Sequence, residues 1–481
     1  MKNAFYIFII SLIALASCNK PDTLQTSGFQ LAFSTDTVLF DTVFTTLGSS
    51  TRQLRVKNTS TEPIQIKRIA LAGGDQSFYR LNIDGIPGNS FDNYELLPND
   101  SLYIFVDVTI DPANQNNPLI VTDSIIFMSD DHMQDVDLVA WGQDAYFYGP
   151  TGNSIFYTLP CNISLSADKP HVFYGYAVID SLCQLDIDPG ARLHFHANSG
   201  LIVYRDGTLK VNGQKDQEVV FEGDRLEPFY ENAPGQWGNY SFGGIWCSPG
   251  SVDNEINYAI IRNGIIGVHA DTLGNSSNPT LKISNTIIEN MAAVGILGQG
   301  TNMEVDNSLV RNIAKYAVLC NIGGDYRFRH CTFANYWSFS VRQDPSVVLN
   351  NYYEATTGDI ISRDLNSAYF SNCIIWGSAE GELLFDESAD ANFNPLFEDC
   401  MILVDAEFDK NQPSRFVNTR FNVYPKFKDP FTDNFLLDTL SPAQNKANSN
   451  WIGDAEMFFD LKGDSRYSDA APDVGCYERI D

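Results

Sequence analysis

Ile256-Asn-Tyr-Ala-Ile-Ile-Arg-Asn263, Ile283-Ser-Asn-Thr-Ile-Ile-Glu-Asn290, Val305-Asp-Asn-Ser-Leu-Val-Arg-Asn312, Phe328-Arg-His-Cys-Thr-Phe-Ala-Asn335 and Phe370-Ser-Asn-Cys-Ile-Ile-Trp-Gly377 are one phrase written five times. Their first residues lie 27, 22, 23 and 42 positions apart, the last gap being about two copies long. Recurrence at this period marks a solenoid. Each copy has an apolar first position and apolar fifth and sixth positions, a run too short and too β-branched for an amphipathic helix. The copies therefore read as strands. The eighth position holds Asn four times and then Gly, residues that enter the left-handed backbone region readily, so a corner is expected there. A second apolar strand is expected beyond it, carried by Ile266 and Val268, Val294 and Ile296, Tyr316 and Val318, and Phe339 and Val341, each pair on one face. Rungs of this kind stack with their strands in parallel and like residues in columns, along which asparagine amides can hydrogen-bond.

This pattern resembles the right-handed parallel β-helix repeat family. The resemblance reaches upstream through Leu185-Asp-Ile-Asp-Pro-Gly-Ala-Arg-Leu-His-Phe195, Gly200-Leu-Ile-Val203, Gly207-Thr-Leu209 and Val219-Val-Phe221, and Gly235-Gln-Trp237 and Gly243-Gly-Ile-Trp246 are similar to the turn before its repeats. It covers residues 171–399. Residues 344–366 are expected to form a divergent rung or a projecting loop. Downstream, Tyr424-Pro-Lys-Phe427, Ser441-Pro-Ala443, Asp460-Leu-Lys-Gly463 and Asp473-Val-Gly-Cys-Tyr-Glu478 look like the segment that ends many secreted β-helix proteins. Gln444-Asn445 and Cys476 depart from that pattern, so residues 400–481 are read as an extension and cap over open strand edges.

The chain opens with Lys2 and the apolar run Phe5 to Ala16, which reads as a secretory signal over residues 1–17. Leu15-Ala-Ser-Cys18 resembles the lipobox of bacterial lipoproteins, which implies lipidation of Cys18 and a polar tether over 18–28. Asn19 follows in place of an aspartate, which points to the outer membrane, on its periplasmic face or at the cell surface. Residues 29–147 contain short alternating runs such as Leu102-Tyr-Ile-Phe-Val-Asp-Val108, divided by Asn, Asp, Gly and Pro. They predict an antiparallel β-sandwich, and Val56-Lys-Asn58 with Leu97-Pro-Asn-Asp-Ser101 resembles bacterial immunoglobulin-like domains. Residues 148–170, with Gly149-Pro150 and Pro160, read as a linker. The expected fold is thus all-β, a right-handed parallel β-helix behind an immunoglobulin-like sandwich.

Thirty-one basic against sixty acidic residues give a net charge of −29. Such a surface repels phosphate backbones, and nucleic acid is excluded as a partner. Polysaccharide lyases on this fold use aspartates that hold calcium with a lysine or arginine base, and its pectin-degrading hydrolases use a Gly-His-Gly signature. No Gly-His-Gly occurs here. The nearest charged group is Asp325, Arg327, Arg329 and His330 with Arg342 and Asp344, beside the aromatics Tyr336, Trp337, Tyr352, Tyr353 and Trp376. Flat rings suit sugar faces, and the bland reading is a solvated face and ordinary core. No catalytic residue or metal ligand is assigned, and the expected ligand-binding residues are Arg327, Trp337, Arg342, Asp344, Tyr352 and Tyr353. The reading is a non-catalytic anchored protein that binds an extended ligand, a glycan first and a surface protein second. The alternative is an anchored polysaccharide lyase or glycoside hydrolase. No cofactor is implied, calcium being the one ion left open, as a bridge to an anionic polymer. Nine cysteines leave eight after Cys18, an even number that permits bridges, but Cys331 and Cys373 share a column and are expected to stay free.

Overall fold

The structure, a computed structural model, describes residues 24–44, 48–49, 51–110, 119–152, 154–226, 230–271, 279–451 and 457–480. The signal segment, Cys18 and the start of the tether lie outside the described residues. The chain divides after Asp144 into two units.

The first unit is a β-sandwich of two five-stranded sheets. One orders Leu31–Phe33, Arg52–Asn58, Ser101–Val108, Tyr79–Ile83 and Ile86–Gly88; the other orders Thr37–Phe44, Met133–Gln143, Leu119–Met128, Ile64–Leu71 and Ser90–Leu96. Neighbours run antiparallel except Met133–Gln143 beside Thr37–Phe44, which are parallel. Alternation sets the faces: Leu102, Ile104, Val106 and Val108 point inward and are buried. Buried Asn58 donates its amide to the carbonyls of Glu62, Leu96 and Leu97 and so fastens two turns.

The second unit is a right-handed parallel β-helix with three long sheets. The first sheet has eleven strands, from Tyr146–Tyr148 to Arg420–Phe421; the second has nine, from Phe156–Thr158 to Leu383–Asp386; the third has ten, from Ile163–Leu165 to Phe416–Val417. A rung passes from third to first to second sheet, as in Leu281–Ser284, Ile287–Glu289 and Val294–Gln299. Like residues stack in the interior, Phe328 on Phe370 at 4.4 Å and Phe370 on Phe397 at 4.6 Å between ring centres. Each such ring contributes about 1.5–3 kcal/mol by leaving water.

The stack is longer than the repeat suggests. The expected linker, together with Tyr146 and Phe147 from the end of the range expected for the sandwich, supplies the first rung, Tyr146–Tyr148, Phe156–Thr158 and Ile163–Leu165, and a Cys161–Cys183 disulfide ties it to the second. The upper end continues past Asp399 through Met401–Ile402 and Phe416–Val417, and is filled by rings of Phe385, Phe393, Phe408 and Phe416. Cys331, Cys373 and Cys400 are free and buried, each thiol donating to backbone carbonyls.

Two details of the corner differ from expectation. The left-handed residue of every copy is at the third position, Tyr258, Asn285, Asn307, His330 and Asn372, with φ of 47° to 57°. The eighth position is left-handed only at Asn263, Asn290 and Asn312. Asn335 and Gly377 remain in strand because a longer loop follows each. One of those loops replaces the expected Phe339 and Val341 strand: both side chains are exposed, and Val347–Asn350 takes the place, with Val347 and Leu349 in the core.

From Phe427 on, the C-terminal segment runs along the side of the stack. Phe427, Phe435, Leu437, Ala443, Val474 and Cys476 pack on Leu309, Ala334, Ile374, Trp376 and Met401 of the first sheet. That outer face is apolar and is covered for the same reason a core forms. Trp376 and Tyr336 lie beneath this layer.

The segment is locked by a buried charge cluster. Arg466 donates to Glu478 at 2.6 Å and to Asn307 at 2.7 Å; Glu478 accepts from the Asp473 amide, and Asp460 from the Glu478 amide. One cation faces three enclosed carboxyls, and burial pushes Asp473 up to about 6, Glu478 up to about 8 and Asp460 upward. A carboxyl raised on folding keeps its proton where the unfolded chain has lost it, so the native state binds more protons and stability falls as pH rises. The melting temperature of the β-helix unit is expected to fall between about pH 6.5 and pH 8.5; a rise across that window in a calorimetric series contradicts the assignment.

Candidate functional site

In-register parallel strands set each outward side chain about 4.8 Å from its counterpart in the next rung. On the third sheet one outer column reads Asp186, Lys210, Glu255, Lys282, Glu304, Arg327, Tyr369, each the register partner of the next. Charge alternates at every step from Asp186 to Arg327. Lys210 pairs with Glu255 at 2.9 Å, and Arg327 pairs with Glu304. A second column on the first sheet runs Glu222, Arg262, Glu289, Arg311, with Glu222–Arg262 at 2.6 Å and Glu289–Arg311 at 2.5 Å. Like charges in adjacent rungs repel, and alternation turns the same geometry into attraction. Arg327 is therefore a member of this ladder, with Glu304 as its partner. Arg329 is likewise spent, bidentate on buried Asp306 at 2.7 and 2.6 Å. His330 is fully buried at its corner, where burial holds it well below the usual imidazole range.

The stack relaxes on the loops that lead from first to second sheet in the upper rungs. Residues 336–346, 378–382 and 403–408 frame a groove of about 930 Å³ lined by Arg342, Gln343, Glu380, Leu384, Asp405 and Glu407 among others. Its frame is a buried ion pair. Arg342 donates to Glu382, to Asn335 O at 3.0 Å and to Asp344 O at 2.6 Å. Glu382 also accepts from the Ser346 amide at 3.0 Å, the Ser346 hydroxyl at 2.6 Å and the Ala379 amide at 3.0 Å. The two side chains are 1% and 0% exposed. Gly377 has a distinct reason here: a Cβ would sit 2.2 Å from Glu382 Oε1 and 2.4 Å from Asn335 O. The glycine of the fifth copy thus serves close approach to a carboxylate and not a left-handed turn.

The six expected ligand residues fall in three places. Trp337, Arg342 and Asp344 are on the 336–346 loop, but Trp337 is buried with Nε1 donating to Ser340 at 2.8 Å, and Arg342 is enclosed as described. Both side chains are committed to partners within the protein. Asp344 is half-buried and accepts from the Tyr316 hydroxyl at 3.5 Å. Tyr352 and Tyr353 lie on a hairpin, Tyr352–Glu354 against Ile360–Ser362, that leads from the second sheet to the third. Tyr352 donates to Asp386 at 2.9 Å, and Arg363 sits over the Tyr353 ring at 5.8 Å. Arg327 is on the third sheet. They do not converge on one site.

What the groove presents is acidic and partly apolar. Glu380, Asp405 and Glu407 line it; Asp405 accepts from the amides of Glu407 at 2.8 Å and Phe408 at 2.9 Å, and Leu384 is 45% exposed. Arg342 is the one cation among the described lining residues, and its terminal nitrogens are already occupied. An anionic ligand finds no counter-charge here. No group of three or more His, Cys, Asp or Glu among the described residues is set to hold a metal ion. Glu380, Glu382, Asp405 and Glu407 were not singled out by the sequence, because they lie outside the repeated phrase; the nearest signal was Gly377 where asparagine was due.

No protein-family model matches the chain, and no curated protein matches it. Among solved structures, the pectate lyase Pel9A is 12% identical, with 70% of this chain and 88% of that one covered and a TM-score of 0.29. A family 123 glycoside hydrolase from Clostridium perfringens is 9% identical over 25% of this chain, with a TM-score of 0.18; the match spans 30% of that hydrolase. Likenesses this distant carry nothing about chemistry.

Removing one partner of the Arg342–Glu382 pair strands the other charge in the interior. Glu382→Ala is expected to lower the stability of the β-helix unit by about 3–5 kcal/mol in denaturant unfolding. A loss under about 0.5 kcal/mol would show that the pair does not hold the loops.

Proposed function

We propose that this protein is a lipid-anchored outer-membrane lipoprotein whose β-helix binds an extended neutral glycan without cleaving it. The observation that carries the reading is the groove itself. It crosses successive rungs, offers carboxylate acceptors beside apolar surface, and has its arginine consumed by Glu382. Sugar hydroxyls donate to carboxylates, and the apolar faces of pyranose rings accept Leu384 and Phe408 as neighbours. A lyase needs a free base at the groove, and Arg342 is not one. Acidic lining and a net charge of −29 disfavour an anionic polymer. The lipobox-like Leu15-Ala-Ser-Cys18 and the polar residues after it supply the anchor in this reading, with Cys18 lipidated.

One observation favours the catalytic alternative. His196 Nδ1 lies 2.7 Å from Asp224 Oδ2, the carboxylate raises the imidazole above its usual range, and the ring is about half exposed. An acid–base pair open to solvent is what a carbohydrate-active enzyme requires, but it stands on the first sheet several rungs below the groove.

The test is a screen of the full chain on immobilised polysaccharides, with and without calcium, read for both retention and released products. Retention of a neutral polymer with no products, reduced about tenfold or more by Leu384→Asp, is expected. New reducing ends or unsaturated products, lost in His196→Asn, would replace this reading with the enzyme; no retention of any polymer would end the glycan assignment.

A further inference from the structure

A one-way chain of hydrogen bonds runs through Asn307 and Asn285 of the third-position corner column to Asn257, the second position of its copy. Arg466 Nη2 donates to Asn307 Oδ1 at 2.7 Å, Asn307 Nδ2 to Asn285 Oδ1 at 2.7 Å, and Asn285 Nδ2 to Asn257 Oδ1 at 2.8 Å. A buried cation stands at its head, and each amide polarises the next. The chain ends on Asn257 Nδ2, a donor strengthened by everything behind it and bonded to nothing among the described residues.

That donor lines a pocket of about 320 Å³. Its floor is the stack, through Asn257, Tyr258 and Ser284, and one wall is Phe459, which the C-terminal segment brings in. Phe459 is fixed there by its carbonyl, which accepts from Asn307 Nδ2 at 3.2 Å, and the residue is 49% exposed. Glu255 and Lys282, adjacent members of the charge ladder, close the rim with balanced charge. A second observation marks the same place. Tyr258 holds φ of 47°, a conformation costly for a bulky side chain, where the other copies have Asn or His. Strain of this kind collects where a side chain has a task, and here it sets an aromatic residue in the pocket.

The contents are an aromatic face, an amide donor without a partner, a phenol, a hydroxyl and a carboxylate acceptor, with no net charge. We propose that this pocket is a second binding site, for a neutral mono- or disaccharide, with Asn257 as the anchoring donor and Phe459 as the stacking face. It shares no lining residue with the groove and does not rest on it.

Titration calorimetry of the full chain with cellobiose, maltose and N,N′-diacetylchitobiose tests this. At least one is expected to bind at a single site. Phe459→Ala and Asn257→Asp should each weaken it about tenfold or more; the aspartate keeps the acceptor for Asn285, and replaces the donor with a carboxylate of the same shape that carries one added negative charge. Leu384→Asp in the groove should change the affinity less than about twofold. No binding of any of the three, or binding indifferent to Asn257→Asp, overturns the proposal, as does binding lost in Leu384→Asp. Polymer retention by the groove should survive both pocket variants, so either reading can fail alone.

Discussion

Every residue of the β-helix has its own column as neighbour. With strands in parallel register about 4.8 Å apart, whatever stands at a position is met again one rung above and below, and the sequence must be compatible with itself at that spacing. The interior solves this with stacked rings such as Phe328, Phe370 and Phe397. The corner solves it with left-handed Asn285 and Asn307, whose amides bond along the stack. The outer faces solve it by alternating sign, from Asp186 to Arg327 on one sheet and from Glu222 to Arg311 on another.

The same constraint explains what could be read from the sequence. A repeated phrase is its direct trace, so the β-helix and its apolar columns were legible from the copies at 256, 283, 305, 328 and 370. The corner was assigned to the eighth position because Asn fills it; the third column, Tyr, Asn, Asn, His, Asn, is more mixed yet left-handed throughout. Arg327 and Arg342 drew attention as clustered charge, and a linear reading could not reveal that Glu304 lies one rung below the first and that Glu382 neutralises the second. The first rung escaped notice because its strands are short and interrupted, and nothing local in the C-terminal segment says that its part from Phe427 on will cover the side of the stack.

Sites arise where the constraint is suspended. The groove forms where connections lengthen to residues 336–346 and 378–382 and the buried Arg342–Glu382 pair takes over from strand pairing as the frame. The smaller pocket forms where Phe459, from outside the stack, meets a corner that holds a strained tyrosine. Ladders supply the scaffold and interruptions supply the chemistry, which is why the charged residues most visible in the repeat are scaffold.

Register is the central claim, and cross-linking measures it most directly. The native Cys161–Cys183 bridge already joins adjacent rungs at a Cα separation of 4.9 Å. Paired cysteines at Glu255 and Lys282, adjacent in the outer column of the third sheet, should oxidise to a disulfide in the folded chain, because their Cα spacing falls in the range of about 4.4–6.8 Å that the bond accepts. Cysteines at Glu255 and Glu304, two rungs apart, should not. Equal cross-linking of both pairs, or none at Glu255 and Lys282, would contradict the stacked register on which the rest depends.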